Sequence, residues 1–338
     1  MDGEPPGAAA RMRDVARVAQ VSAMTVSRAL KDPERVSPEV RARVEEAVRQ
    51  VGYVPNRLAG SLSSSRSNVI GLVVPSIDNS LFASTIQGIS DVLRRHGHEL
   101  MIASSGYGEE AEEAAIRAFL GQRVAGLILH DTTHTPEAVA MIRRAGIPVV
   151  ENGTLTRHPL DMVVSYSNHD AAMAMMRHLL RLGYRRIGFV TLPLAANERS
   201  RDRRRGYAAA LEEAGLPYDP RLVLEVPPGL AAGVEALDRL LDGGGDPDAI
   251  FFAGDVLAIG AALECTRRGW PVPGRVAIAA FDNIDLLGHL VPPVTTLRLP
   301  RHEIGRRSAE VLLDRIQGRA TGPLTVDLRF EIIHRAST

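Results

Sequence analysis

The chain has 338 residues, 45% hydrophobic and 24% charged, which is a globular composition long enough for two or three domains. A single cysteine, Cys265, excludes an intramolecular disulfide framework and a cysteine-rich zinc site, and fits a reducing compartment. Formal net charge is zero, yet residues 11–66 carry 11 Lys and Arg against 6 Asp and Glu, while residues 67–338 carry 29 against 32; a basic head on a faintly acidic body is an asymmetry that a partner should explain.

Residues 1–10 hold Pro5, Pro6 and two acids, with no basic n-region and no apolar h-region. They read as a disordered leader and not as a secretory signal. No run approaches ~18 apolar residues, so no membrane span is expected. From Arg11 the pattern is helical. Val15, Ala16 and Ala19 place a helix over Arg13–Gln20. Ser22 can cap a second, Ala23–Leu30, and Ser37-Pro38-Glu39 starts a third that stops at Gly52. After Pro55-Asn56 come a short segment and the serine-rich linker Ser61–Ser67. Beyond Asn68 short apolar runs alternate with helical stretches. The runs include Val69–Val74, Leu100–Ala103, Gly126–Leu129, Pro148–Val150, Met162–Val164, Ile187–Val190, Ile250–Ala253, Val276–Phe281 and a last one, Leu324–Ile333. Unbroken apolar strands between helices predict parallel sheets covered on both faces, and the strand number favours two doubly wound halves. Ligands bind beyond the strand carboxyl ends of such sheets, so two facing halves form a cleft.

Two short helices joined by a tight turn and followed by a third make either a small helical module or a helix-turn-helix. In the second case Met24, Thr25 and Arg28 lie at the end that meets base edges. Arg28 suits a bidentate contact to guanine, Ala23 and Met24 suit thymine methyls, and Thr25 and Ser27 suit phosphates.

The run Asp14-Val15-Ala16, Val21-Ser22, Thr25-Val26-Ser27-Arg28, Val36-Ser37 and Gly52-Tyr53-Val54-Pro55-Asn56-Arg57 strongly resembles the LacI/GalR transcription repressors. The resemblance extends along essentially the whole chain and includes Gly206-Tyr207 and Phe281-Asp282-Asn283. It implies an all-α helix-turn-helix domain (11–55), a hinge helix and linker (56–66), and an α/β periplasmic-binding-protein-like core of two doubly wound parallel-sheet subdomains (67–338). The N-subdomain would hold about 67–167 and 298–326, and the C-subdomain about 168–297 and 327–338. Ala23, Met24 and Arg28 match base-reading positions. Asn56, Arg57 and the following residues to Ser64 match the hinge helix, and Leu62 matches a leucine that wedges into the minor groove. In the core, Ser76, Leu81, Phe82, His130, Glu151, Arg203 and Asp282 match effector-pocket positions, and Arg301 maps onto one. His130 has a second reading as a core histidine. Gly254 stands where many relatives have Asn.

Helical spacing puts Arg199 on the face of Arg203, four residues away, while Arg201, Arg204 and Arg205 read as a solvated face. Arginines converging on a small cleft favour an anionic ligand, because guanidinium grips carboxylate or phosphate bidentately. With Glu151 and Asp282 as hydroxyl acceptors, this describes a sugar acid. His134-Thr135-Pro136, Ala145–Glu151 and Glu198-Arg199 add a finer resemblance to the gluconate-utilisation repressors of the family. The expectation is a cytoplasmic homodimer on a pseudo-palindromic operator, released by a sugar acid such as gluconate, with no cofactor, metal or membrane partner. A neutral sugar, a phosphorylated sugar or a ketogluconate, and a ligand acting as co-repressor, stay open. A sugar-binding protein or sugar-acting enzyme is the rival class; no nucleophile elbow, P-loop or HExxH pattern supports catalysis.

Overall fold

A computed structural model describes residues 10–54, 67–78, 80–195 and 197–338. The hinge positions Asn56, Arg57 and Leu62 lie outside them. The chain divides into two units, Met1–Ser67 and Asn68–Thr338.

Among the described residues the first unit holds three α-helices, α1 (Met12–Ala19), α2 (Ala23–Lys31) and α3 (Pro38–Val51). Helix α1 ends where Gln20 turns left-handed, with φ 53°, and its N–H closes on the Ala16 and Arg17 carbonyls. Ser22 then restarts the helix: its Oγ accepts the Thr25 N–H at 3.1 Å, a cap worth ~1 kcal/mol. Val15, Ala19, Val26, Val44 and Ala47 are buried together with Tyr53. From α3, Arg43 donates to the carbonyls of Ala19 and Gln20, which holds the turn between α1 and α2.

Among its described residues the second unit contains twelve strands: β1 (Val69–Val74), β2 (Glu99–Ser104), β3 (Gly126–Leu129), β4 (Val149–Glu151), β5 (Met162–Ser165), β6 (Ile187–Thr191), β7 (Val223–Glu225), β8 (Ala249–Phe252), β9 (Ala277–Phe281), β10 (Thr295–Arg298), β11 (Leu324–Asp327) and β12 (Glu331–Ile333). They form two six-stranded sheets, ordered β11-β5-β4-β3-β1-β2 and β12-β10-β9-β8-β6-β7. Every pairing is parallel except β10 with β12. Strands β1, β3, β6, β8 and β9 are buried along nearly all their length, as apolar runs covered on both faces must be.

Among the described residues nine helices cover the sheets: α4 (Ala83–Arg95), α5 (Glu109–Gly121), α6 (Pro136–Ala145), α7 (Asn168–Arg181), α8 (Glu198–Glu213), α9 (Leu230–Asp242), α10 (Asp255–Arg267), the short α11 (Leu286–His289) and α12 (Arg301–Ile316). The chain passes between the two lobes three times, after β5, after β10 and after β11. The run Leu324–Ile333, read as one β-like stretch, contains the last crossing. Leu328 N–H donates to Ser165 O at 2.7 Å, and the backbone then reverses to pair β12 antiparallel with β10.

Helices α4 and α12 meet through glycine. A Cβ on Gly305 would lie 2.0 Å from the Thr85 carbonyl oxygen, and one on Gly88 would lie 2.2 Å from that of His302. No flexible side chain can yield there, so the two backbones touch. Gly305→Ala should therefore lower stability by ~1–3 kcal/mol despite the better helix propensity of alanine. Urea unfolding tests this: a midpoint equal to wild type would mean that the helices part without cost.

Candidate functional site

In the first unit Ser22 sets the exposed end of α2. Ala23, Met24 and Arg28 are exposed, with Met24 71% open to solvent, although a methionine at an ordinary helix position would be buried. Thr25 and Ser27 are half-buried, and Thr25 Oγ1 lies 2.8 Å from Ser22 Oγ. Val26 and Ala29 point the opposite way into the core. The helix thus has one anchored face and one free face carrying an arginine.

In the second unit the strand carboxyl ends converge on a cavity of about 340 Å³, within the ~300–1,000 Å³ typical of small-molecule sites. Ser76 follows β1, His130 follows β3, Leu192 follows β6, Ala253 and Gly254 follow β8, and Asp282 follows β9. Leu81 and Phe82 enter from the turn before α4, Arg199 and Arg203 from α8, and Arg301 from the start of α12.

Three buried arginines share this space, and each is held differently. Arg301 binds Asp282 bidentately, with Nε and Nη2 to Oδ1 at 2.8 and 2.7 Å and Nη2 to Oδ2 at 2.7 Å. Although burial opposes the charge, Asp282 holds this guanidinium above its usual range. Asp282 itself sits left-handed at φ 72°, a conformation costly for a non-glycine residue. Arg199 pairs through Nη1 with Asp131, while its Nη2 is buried without a partner among the described residues. Arg203 has no carboxylate within ion-pair distance among the described residues. Its Nε donates to Asn168 Oδ1 at 2.8 Å and its Nη1 to Ala253 O at 2.7 Å. Its guanidinium carbon stands 3.7 Å from the Phe281 ring centre. Burial pushes its pKa down.

His130 lines the cavity, with Nδ1 3.0 Å from Asn152 Oδ1 and its ring edge-on to Phe82. Burial, then the Arg199 charge, lowers its pKa to about 3, so it is neutral. Glu151, by contrast, does not line the cavity. Its Oε1 lies 3.2 Å from His134 Nε2, and its Oε2 accepts the Leu160 N–H at 2.7 Å. The other His134 nitrogen stands 2.6 Å from Glu112 Oε2. The role expected of Glu151 as a hydroxyl acceptor is therefore corrected: one oxygen serves a buried Glu–His–Glu cluster and the other a backbone N–H. Although burial opposes protonation, the two carboxylates raise His134 to about 10.

This cluster lies beneath a loop that reaches the other lobe. Glu198 of α8 accepts from Thr132 N and Oγ1 at 2.8 Å each and from Thr133 Oγ1 at 2.7 Å. With Arg199–Asp131 this ties the end of β3 to the start of α8. Asp78, Tyr107, Asn197 and Asp255 also line the cavity and were not among the residues read from sequence. Asp255 follows Gly254 at the start of α10, where an acid reads as ordinary helix-dipole complement; nothing local signals that it faces a cavity. Among the described residues no group of three or more His, Cys, Asp or Glu is placed to hold a metal ion, and no helix is long and apolar enough to cross a membrane.

Residues 11–56 match the bacterial regulatory proteins of the lacI family, and residues 176–338 match the periplasmic binding protein-like domain. The chain is 37% identical over 322 residues to the HTH-type transcriptional regulator GntR of Escherichia coli K12, covering 95% of this chain and 96% of that one. Its fold is similar to that of a LacI-family transcriptional regulator from Silicibacter pomeroyi, with TM-score 0.89, 32% identity and coverage of 97% and 99%. It is also similar to the lac repressor dimer bound to operator and the anti-inducer ONPF, with TM-score 0.83, 25% identity and coverage of 98% and 99%.

One cavity acid gives a pH signature. Burial, then the neighbouring Asp282 charge, raises Asp255 to about 6. A carboxyl raised above its unfolded value of ~3.9 stabilises the fold fully below that value and loses the effect as pH rises through its folded pKa. Wild type should therefore lose about 1 kcal/mol relative to Asp255→Asn between pH 5 and 8. Urea midpoints of both proteins across that range check it; parallel profiles would place the carboxyl in an unperturbed setting.

Proposed function

The chain belongs to the lacI family of bacterial regulatory proteins and is a DNA-binding transcriptional repressor; from that premise we propose that it is a cytoplasmic homodimer that holds a pseudo-palindromic operator and releases it on binding a sugar acid such as gluconate. The observation that carries the ligand class is Arg203, a buried cation on the cavity wall satisfied only by neutral acceptors and a ring face. A ligand carboxylate would supply the missing counter-charge. Arg199 offers a second free donor, Nη2, to the same ligand. The resemblance to the gluconate-utilisation repressors and the similarity to GntR support the same class.

On the DNA side, the free face of α2 enters the major groove. Arg28 reads guanine and Met24 contacts thymine methyls, while Thr25 and Ser27 hold phosphates. Asn56, Arg57 and Leu62 belong to a hinge segment that meets the minor groove at the operator centre. The hinge pair bends the site, and the two heads of the dimer double the basic charge available to phosphate, so affinity falls steeply with salt.

Release requires that the ligand bind the operator-free arrangement more tightly than the operator-bound one. The cavity lies between two lobes already joined by Arg301–Asp282, Arg199–Asp131 and Glu198 with Thr132 and Thr133. A ligand that engages Arg199 and Arg203 acts on the pairing that sets the lobes.

Fluorescence anisotropy on an operator selected from random duplexes tests both halves. Gluconate should weaken operator binding of wild type at least tenfold; a change within twofold sinks the ligand assignment, and tightening makes the ligand a co-repressor. Arg203→Ala should abolish the response to gluconate, and a normal response would remove the arginine from the grip. Arg28→Ala should cost ~1–3 kcal/mol and relax base preference at one position of each half-site; a uniform loss across sequences would make it a phosphate contact instead.

A further inference from the structure

We infer that Asp255 determines ligand specificity by accepting a hydrogen bond from one hydroxyl of the effector through its free Oδ2. The inference rests on the sugar-acid reading above and deepens it: Arg203 and Arg199 take the anionic end, and Asp255 takes a hydroxyl farther along the same molecule.

Asp255 lines the cavity and is 5% exposed. Its two oxygens have different fates. Oδ1 accepts the Val256 N–H at 2.7 Å, as an acid in the first turn of a helix often does. Oδ2 is buried and has no partner among the described residues. A buried acceptor left unmade is costly, and an acid serving the helix alone has no need of it. Asp282, which accepts from Arg301 through both oxygens, shows that a carboxylate in this cavity can be fully satisfied by the protein. Asp255 has no ion pair of that kind; Asp282, Arg301 and Arg203 are the charged groups whose fields reach it.

Beside it, a Cβ on Gly254 would make only ordinary contact with the Leu257 side chain, at 3.7 Å, and the glycine leaves that volume unfilled next to the acid. The two orphan polar atoms on this cavity wall are opposite in kind. Arg199 Nη2 can only donate and Asp255 Oδ2, as carboxylate, can only accept. A ligand that satisfies both brings an acceptor and a hydroxyl donor, which a sugar acid does and a simple anion does not.

The decisive variant is Asp255→Asn. Asparagine supplies one acceptor oxygen where two are needed, so it can cap Val256 or bind the hydroxyl, not both. Titration calorimetry is run on the full chain with D-gluconate and with each mono-deoxy-D-gluconate, for wild type and for Asp255→Asn. Urea unfolding at pH 8 confirms that the variant is folded. The expected result is a loss of roughly 10–100-fold for gluconate, with one deoxy acid that wild type and variant bind equally. Such position-specific non-additivity is the mark of a direct contact. A variant within twofold of wild type, or a loss of equal size for every deoxy acid, overturns the inference and leaves the sugar-acid reading standing. If wild type itself binds no gluconate, the sugar-acid reading falls and the inference with it, before any variant is compared.

Discussion

Burying a guanidinium is expensive, and this protein buries three around one cavity. Each has to find compensation, and how it does so shapes the core. Arg301 takes Asp282 and Arg199 takes Asp131, in both cases a partner on the opposite lobe. Arg203 stays within reach of neutral oxygens and the Phe281 face. Electrostatic need therefore joins the two sheets at their carboxyl ends, where the three chain crossings also lie. The same need leaves one charge unmet, and that is the charge a ligand can meet.

The backbone supports this arrangement at a local cost. Asp282 accepts a left-handed conformation to present its carboxylate to Arg301, and Thr296 Oγ1 donates to its carbonyl from beneath. The buried Glu112–His134–Glu151 cluster fixes the segment between β3 and α6. That segment carries Asp131, Thr132 and Thr133 to the start of α8. Strain and buried charge gather at the boundary between lobes, while the clusters that pack the two sheets are largely apolar.

Much of this was legible in the chain itself. Parallel strands such as Val69–Val74 and Val276–Phe281 stand out because both faces are buried and nothing interrupts the apolar run. The head was legible through its caps: Ser22, Ser37-Pro38 and Gly52 mark helix ends by local chemistry alone. Strand β10 was not, since Thr295-Thr296-Leu297-Arg298 carries no apolar run and pairs only because its neighbours place it there. In the cavity, Ser76, His130, Asp282 and Arg203 followed from the family resemblance, and Arg199 from its helical spacing to Arg203. Glu151 was misread because its position at the end of β4 fits a ligand contact, whereas His134, seventeen residues earlier, claims the side chain. Asp255 was missed for the converse reason: its sequence setting is that of any acid in a first helical turn, and only tertiary structure turns one oxygen toward a cavity.

The glycine contact between α4 and α12 bears on how a change at the cavity spreads. Helix α12 begins at Arg301, whose guanidinium is gripped by Asp282 of the other lobe. One turn further on, Gly305 rests directly on the backbone of α4. Side chains between helices provide slack, since their rotamers adjust over an ångström or more; bare backbone against bare backbone provides almost none. Motion of the first turns of α12 is thus passed to α4 nearly whole, like rotation through gears cut without backlash.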